Sequence, residues 1–193
     1  MREVKNLLLV GVGGQGTILA GKILSNGLLA AGYDVKMSEV HGMAQRGGSV
    51  STQVRYGEKV YSPIIGPGEA DILVAFEAME ALRWLPYLKP SGTCVVNDQK
   101  IPPVPVLLGK REYPEDAIER VRAKAATTVL DAVAIATTAG NPRTMNLVLL
   151  GALVAAMGLG DVDWEQAIAD NVKSQFVAAN VAAFTAGSAA VHG

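Results

Sequence analysis

The fold is organised around one stretch near the start of the sequence, Asn6-Leu-Leu-Leu-Val-Gly-Val-Gly-Gly-Gln-Gly16. Its apolar run at residues 7–10 is too short for a buried helix and predicts a buried strand. A mostly apolar helical pattern covers residues 17–31, and residues 34–40 form a second strand pattern. A strand, a helix and a strand in this order predict a right-handed crossover within a parallel sheet.

The turn between the first strand and the helix matches G-x-G-x-x-G, a pattern of nucleotide-binding loops. Glycine permits positive φ angles and lets a ligand approach the main chain closely. The free N–H groups of the following helix then face that ligand, so an anion such as a phosphate or pyrophosphate is the expected guest. The alternative is a tight turn whose glycines only allow close packing. The candidate cofactor-binding residues are Gly11, Gly13, Gly14, Gln15 and Gly16.

A second pattern in this region, G-x-x-x-x-G-K at residues 16–22, is similar to the phosphate loop of nucleoside triphosphatases. Ile23 follows where that loop needs Ser or Thr to bind magnesium, and Lys22 lies inside the predicted helix. We therefore exclude a triphosphatase.

The composition, with half of the 193 residues hydrophobic and 18% charged, is typical of a soluble globular protein. The net charge of -1 predicts neither a nucleic-acid partner nor a membrane surface. Cys94 is the only cysteine, so we expect no internal disulfide and no iron–sulfur or zinc-finger site, and we predict no metal ligand. No signal-peptide pattern occurs at the start, and we expect a cytoplasmic protein.

The rest of the chain alternates between strand and helix patterns, with no repeat and no long linker. Residues 49–56 alternate polar and apolar, and residues 59–61 follow a Gly-Glu turn, so this pair predicts a β-hairpin or a long edge-strand excursion. Residues 71–76 predict a further strand, and residues 146–186 contain three predicted helices. We predict one domain over residues 1–193. Its fold is α/β, with a mainly parallel sheet flanked by helices, a Rossmann-like start, a β-hairpin excursion after strand 2 and a helical C-terminal portion.

A polar loop with several glycines, residues 41–49, follows the second strand. It lies at the carboxyl edge of the predicted sheet, where ligands bind in such folds, and the glycine turn opens on the same edge. Arg46 suits bidentate binding of a carboxylate or phosphate, and His41 can donate a hydrogen bond or move a proton. Each could instead make only structural hydrogen bonds. We take His41 and Arg46 as catalytic candidates, and Gln45 and Arg46 as cofactor-binding candidates.

The glycine turn is followed by Ser38-Glu-Val-His-Gly-Met-Ala-Gln-Arg-Gly-Gly-Ser-Val50, and together they resemble the γ subunit or domain of the 2-oxoacid:ferredoxin oxidoreductases. The closest resemblance is to the β subunits of indolepyruvate ferredoxin oxidoreductases. Ala70-Asp-Ile-Leu-Val-Ala-Phe-Glu77 and Asn146-Leu-Val-Leu-Leu-Gly-Ala152 also fit, so the resemblance covers nearly the whole chain. The His-Gly-Met-Ala-Gln-Arg-Gly-Gly segment is long and unusual, which makes it far more specific than the glycine turn alone.

The resemblance implies a part in the oxidative decarboxylation of a 2-oxoacid, indolepyruvate or another arylpyruvate, to an acyl-CoA. In that family, thiamine diphosphate with magnesium forms the adduct, [4Fe-4S] clusters carry electrons to ferredoxin, and coenzyme A takes the acyl group.

This chain has too few cysteines for a cluster. It also lacks the Gly-Asp-Gly signature of thiamine diphosphate sites, because Gly160-Asp-Val breaks it at the third place. The resemblance therefore implies an accessory subunit, inactive alone. A large α subunit would carry those cofactors and reach ferredoxin. Coenzyme A is the one group that this chain would contact, through the glycine turn and Arg46.

Two other functions stay open at this point. A free-standing NAD(P)-binding oxidoreductase would place Glu39, near the end of the second strand, on a ribose, although a polar loop stands where a Rossmann helix is expected. A regulatory binding module would use the apolar C-terminal helices as a docking face.

Overall fold

The structure is a computed structural model that describes residues 3–42 and 47–191. The described strands are β1 (Lys5–Val12), β2 (Asp34–His41), β3 (Ser49–Gly57), β4 (Ala70–Ala75), β5 (Leu88–Asn97) and β6 (Ala126–Leu130). The described α-helices are α1 (Thr17–Ala30), α2 (Ala78–Trp84), α3 (Val104–Leu107), α4 (Ala117–Arg122), α5 (Ala132–Thr138), α6 (Met145–Ala156), α7 (Trp164–Ala169) and α8 (Val177–Ala189). None of these helices is both long enough and apolar enough to cross a membrane.

The strands form one mixed sheet in the order β2-β3-β1-β4-β5-β6. Strands β1, β4, β5 and β6 pair in parallel, whereas β3 runs antiparallel between β1 and β2. In this register Leu8 of β1 lies opposite Gln53 of β3 on one side and Leu73 of β4 on the other. The predicted α/β class, with a mainly parallel sheet, flanking helices and a helical C-terminal portion, is confirmed.

The antiparallel excursion after strand 2 is present, but its predicted second half is wrong. Residues 59–61 form no strand, and β3 pairs with β2 and β1 instead. The segment after β3 folds over the sheet and covers polar side chains of that strand. Gln53 Oε1 accepts a hydrogen bond from the Ile65 N–H at 2.6 Å, and Arg55 donates to the Ser62 carbonyl at 3.0 Å. These bonds let a strand with an edge-like polar pattern occupy the interior of the sheet.

Apolar side chains pack on both faces of the sheet because successive residues of β1 point to opposite faces. Leu7 belongs to the cluster formed with α1 and the C-terminal helices, and Leu8 to the cluster formed with α2 and α4. Within the C-terminal layer, α6 and α8 approach so closely that a Cβ at Gly151 would lie 2.0 Å from the Phe184 carbonyl oxygen. This layer supports α1, whose first turn lies at the carboxyl edge of the sheet.

Candidate functional site

The glycine turn has a shape that other residues could not easily adopt. Gly14 and Gly16 have φ angles of 101° and 80°, in the region that favours glycine. A Cβ at Gly16 would also lie 2.8 Å from Nδ2 of Asn146 at the start of α6. The Gly13 N–H donates to the Gly48 carbonyl at 2.9 Å, which ties the turn to the start of β3. The turn is therefore held on two sides, and Gly16 forms the N-cap of α1.

The N-terminus of α1 keeps hydrogen-bonding capacity for a ligand. Within residues 3–42 and 47–191, no side chain caps this helix and no acidic residue lies in its first turn. The first N–H groups of a helix have no partner inside the helix, and its dipole favours an anion at this end. The predicted preference of the turn for a phosphate thus rests on the free backbone N–H groups of a 14-residue helix.

A first cleft of about 600 Å³ opens beside this helix end, between α1 and the ends of β2 and β3. Lys22 and His41 line it, both are exposed, and neither side chain forms an ion pair or hydrogen bond with any residue that the structure describes. A cation and an imidazole therefore stand beside the free N–H groups. The lining residues of the first cleft are Gly13, Gly14, Gly16, Thr17, Ile18, Leu19, Lys22, His41 and Val50.

Lys22 is a candidate site residue that the sequence analysis missed. We placed it beyond the glycine turn because it lies inside the helix. However, helical side chains lean toward the N-terminus of their helix, so a long lysine side chain reaches back over the preceding turn. This rule could have predicted that Lys22 lies near the glycine turn. The structure places Lys22 in the same cleft as Gly13 and His41.

A second cleft, of about 510 Å³, lies on the other side of the same helix end, against the starts of α6 and α8. It shares three residues of the glycine turn and α1 with the first cleft. Arg143, Lys173 and Phe176 line it and are exposed. The lining residues of the second cleft are Gly14, Gln15, Gly16, Leu19, Asn141, Arg143, Thr144, Asn146, Asn171, Val172, Lys173, Phe176 and Asn180.

The side of the glycine turn that faces β4 is closed by an amide network of Gln15, Asn97 and Gln99. Gln15 Oε1 accepts from the Val12 N–H at 2.8 Å, and its Nε2 donates to the Phe76 carbonyl at 2.8 Å and to Gln99 Oε1 at 3.0 Å. Asn97 Nδ2 donates to the same two oxygens, at 3.1 and 3.2 Å. The predicted binding residue Gln15 thus uses its amide group in hydrogen bonds that fix the shape of the turn, and the residue is partly buried and also lines the second cleft.

Gly11 takes part in the same closure. A Cβ at this position would lie 2.8 Å from Gln15 Oε1 and 2.9 Å from the Phe76 Cβ. A larger residue would push the Gln15 amide out of the network. Gly11 therefore permits close packing at the end of β1, while Gly13, Gly14 and Gly16 line the clefts.

The sheet order argues against the NAD(P) hypothesis. Glu39 pairs with Thr52 of β3, and β3 separates β2 from β1. Because neighbouring strands lie about 4.8 Å apart, Glu39 is displaced by roughly twice that distance from the strand that leads into the glycine turn. A dinucleotide-binding fold places its acidic residue on the strand next to that turn.

The sequence as a whole identifies the family to which this site belongs. A family model described as pyruvate ferredoxin/flavodoxin oxidoreductase matches residues 6–190. The chain belongs to this family. An indolepyruvate oxidoreductase subunit IorB from Pyrococcus horikoshii is 40% identical over 188 residues, which cover 94% of this chain and 93% of that relative. The predicted resemblance is therefore confirmed, and this chain is an IorB-like oxidoreductase subunit.

Solved structures of the pyruvate ferredoxin/flavodoxin oxidoreductase family share the fold. The γ subunit of a keto/oxoacid ferredoxin oxidoreductase from Geobacter sulfurreducens matches with a TM-score of 0.72 and 25% identity, over 97% of this chain and 98% of that one. A 2-oxoglutarate:ferredoxin oxidoreductase from Magnetococcus marinus, solved with 2-oxoglutarate, coenzyme A and succinyl-CoA bound, matches with a TM-score of 0.75 and 21% identity. That match covers 100% of this chain and 32% of the other, so the fold also occurs within a longer chain.

The polar loop at residues 41–49 is only partly described. Gln45 and Arg46 lie outside the described residues. On the flanks of the loop, His41 ends β2 opposite Val50, and the Gly42 N–H donates to the Ser49 carbonyl at 3.2 Å. The Ser49 hydroxyl donates to the carboxylate of Glu80, a buried residue of α2. Both ends of the loop are thus attached to the sheet edge that carries the first cleft.

The described residues do not fit the redox groups of this oxidoreductase family. Among residues 3–42 and 47–191, no group of three or more His, Cys, Asp or Glu side chains could hold a metal ion. Cys94 is the only cysteine of the sequence, and burial raises the pKa of its thiol to about 12. Cys94 is 1% exposed and packs in the core cluster that the sheet forms with α2 and α4.

Proposed function

We propose that this chain is the accessory subunit of a 2-oxoacid:ferredoxin oxidoreductase acting on indolepyruvate or another arylpyruvate, and that its first cleft holds part of coenzyme A. The observation that supports the proposal most directly is the meeting of free α1 N–H groups, Lys22 and His41 in one cleft beside the family's polar loop. Backbone donors at a helix N-terminus and a lysine are the groups that bind pyrophosphate.

The glycines and the polar groups of the first cleft have distinct roles in this proposal. The α1 N–H groups and the Lys22 ammonium bind the pyrophosphate of coenzyme A, and Gly13, Gly14 and Gly16 let it approach the main chain. His41, at the exposed end of β2, donates a hydrogen bond to the pantetheine arm or takes the proton of the thiol. Arg46 and Gln45 complete the site from the polar loop.

The reaction itself takes place with a partner. A large α subunit would hold thiamine diphosphate with magnesium, which would supply the decarboxylation chemistry, and [4Fe-4S] clusters, which would supply the electron path to ferredoxin. The acyl group leaves on coenzyme A, as an arylacetyl-CoA when the substrate is an arylpyruvate. Residues 1–193 form one γ-type domain that orients coenzyme A at the entrance of the active site. The subunit works in the cytoplasm and has no turnover alone.

The test compares two cleft variants in the complex reconstituted with the large subunit. We expect Lys22→Ala and His41→Gln each to raise the KM for coenzyme A about fivefold, close to 1 kcal/mol, with the KM for the 2-oxoacid unchanged. Arg46→Ala should act in the same direction. The matched control is Arg122→Ala, which changes an exposed cation of α4 that lines neither cleft. An unchanged KM for coenzyme A in all three cleft and loop variants would refute the proposal.

The second arm tests the accessory role. The purified chain without a partner should oxidise no 2-oxoacid and reduce no nicotinamide. Turnover by the chain alone would contradict the proposal, whatever the effect of the substitutions.

A further inference from the structure

The chain presents one cluster of large apolar side chains to solvent. This cluster lies in the α3 arm, which comprises residues 102–112 between β5 and α4. Val104, Leu107 and Leu108 of the arm are 62%, 70% and 63% exposed, although they are large apolar residues. Among the described residues, no member of either core cluster comes from the arm. Apolar side chains that are exposed as a group, and not singly, mark a surface that binds a partner.

The backbone of the α3 arm maintains the shape of the arm. The N–H groups of Lys110 and Arg111 both donate to the Pro105 carbonyl, at 2.9 and 3.2 Å, and so close the chain behind α3. Gly109 has a φ angle of 67°, in the region that favours glycine, at the point where the chain turns back. The apolar side chains are therefore carried by a pre-organised loop, which lowers the entropic cost of binding a partner.

Both stems of the α3 arm are attached to one buried carboxylate. Glu77 follows β4 and is fully buried, and it accepts hydrogen bonds from the Ile101 N–H at 3.0 Å and from the Tyr113 hydroxyl. Lys100 and Glu115 form an ion pair across the same two stems. A carboxylate is stable in a protein interior only when its oxygens are satisfied, so Glu77 and the two stems hold one another in place. These contacts fix the position at which the arm leaves the sheet.

The α3 arm leaves the sheet at the edge where the glycine turn lies. Strands β4 and β5 run parallel to β1, so their carboxyl ends share this edge with the end of β1. Gln99, between β5 and the arm, accepts a hydrogen bond from Gln15 of the glycine turn at 3.0 Å. Val40, near the end of β2, adds a large apolar side chain that is 54% exposed at the same edge. A partner that covers the arm therefore also comes close to the glycine turn.

We propose that the α3 arm docks this chain onto the large subunit, by inserting Val104, Leu107 and Leu108 into an apolar groove with an acidic rim. This inference rests on the proposed function, in which the large subunit brings the redox groups to the edge of the sheet that carries the first cleft. The acidic rim follows from Lys110 and Arg111, which are exposed and whose side chains form no ion pair within the described residues. Cations beside an apolar patch are complementary to a groove bordered by carboxylates.

The experiment measures the dissociation constant between this chain and the large subunit. The double variant Leu107→Ser/Leu108→Ser should raise this constant about 30-fold, as expected for the loss of a central apolar anchor. Charge reversal with Lys110→Glu/Arg111→Glu should raise it about tenfold at low salt, and by a smaller factor at high salt. Tyr61→Ser is the matched control, because Tyr61 is 89% exposed and lies outside the arm, and it should leave the constant unchanged.

Two further measurements distinguish a docking defect from a folding defect. The isolated Leu107→Ser/Leu108→Ser chain should keep the urea midpoint of the unmodified chain, because both side chains are exposed. Turnover of the complex should rise again as this variant is added in excess, since docking affects association and not the chemistry. A lower urea midpoint, or turnover that stays low in the presence of excess variant, would contradict the docking role.

The outcomes also separate docking from the proposed coenzyme A site. If both arm variants bind the large subunit as tightly as the unmodified chain does, the docking assignment is wrong, whatever Lys22→Ala does to the KM for coenzyme A. If the arm variants weaken association while Lys22→Ala and His41→Gln leave that KM unchanged, docking stands and the coenzyme A site fails. Equal weakening by Tyr61→Ser would deny the arm a specific role. A dimer of the isolated chain that Leu107→Ser/Leu108→Ser abolishes in sedimentation would assign the arm to a second copy and overturn the proposal.

Discussion

The two sides of the glycine turn differ in how their polar groups are used. Toward β4, the side chains of Gln15, Asn97 and Gln99 bond to one another and to the Phe76 carbonyl. On the other side, toward the clefts, the Lys22 ammonium and the first N–H groups of α1 have no partner among the described residues. One turn therefore has hydrogen-bonded amides on one side and donors without a described protein partner on the other.

The difference follows from solvent access. Within the network, Asn97 is buried and Gln15 and Gln99 are partly buried. An amide shielded from water destabilises the fold when it has no partner, so such a network persists only when its groups are satisfied. An exposed cation is hydrated and needs no protein partner, which leaves it available for binding. Changes on the β4 side should therefore alter the free energy of unfolding, and changes on the cleft side should alter the affinity for coenzyme A.

The largest expected effect is that of Asn97→Ala on stability. Asn97 is fully buried, and its Oδ1 accepts from the Ala132 N–H at 3.0 Å at the start of α5. Removing the amide leaves that N–H unsatisfied and opens a small cavity, so we expect a loss of about 2–3 kcal/mol. Urea unfolding of the purified subunit measures it. Asn26→Ala is the matched control, because Asn26 makes one exposed amide contact with Asn171 and should lose well under 1 kcal/mol. Similar losses of unfolding free energy in both variants would contradict the structural role of the network on the β4 side.

The sequence was sufficient to predict those elements around the glycine turn that depend on local patterns. The apolar run before Gly11 and the long apolar pattern after Gly16 gave β1 and α1, since strand length, glycine and helix period are read within one stretch. The same logic gave the helices of the C-terminal portion. The family string at residues 41–49 pointed to the edge of the sheet that carries the first cleft.

Other features of the fold and of the clefts could not be predicted from a short stretch of sequence, because they depend on contacts between distant residues. The position of β3 inside the sheet depends on Gln53 and Arg55 finding backbone partners in the segment that follows, and periodicity alone does not report such bonds. Gln15 has the polar character of a ligand contact, but the distant Gln99 gives it an internal role. Arg143, Lys173 and Phe176 join the glycine turn only through the packing of α6 and α8 beside α1.

A smaller effect is expected for Gln15, which lies at the border of the two sides. Gln15→Ala removes the acceptor of the Val12 N–H and both donations by Nε2, at a partly buried position. We expect a loss of about 1–2 kcal/mol in the free energy of unfolding. Gln15→Glu should be less stable than Gln15→Ala, because a carboxylate would face the Phe76 carbonyl and Gln99 Oε1 without a proton to donate. Urea unfolding gives the order of the three proteins.

The reverse order would mean that Gln15 is not held by the network. A large rise in the KM for coenzyme A in Gln15→Ala, without any loss of stability, would instead make this side chain a direct ligand contact.

The smallest effect is a dependence of coenzyme A binding on ionic strength. Lys22 is exposed, so salt should screen its attraction for the pyrophosphate, while the amide network carries no charge and adds no salt dependence. Between about 0.05 and 0.5 M salt, we expect the KM of the unmodified complex to rise roughly threefold. The rise should be smaller in Lys22→Ala and unchanged in Gln15→Ala. If Lys22→Ala keeps the full salt dependence, the charge that coenzyme A meets lies elsewhere, and the cleft side of the turn binds through its N–H groups alone.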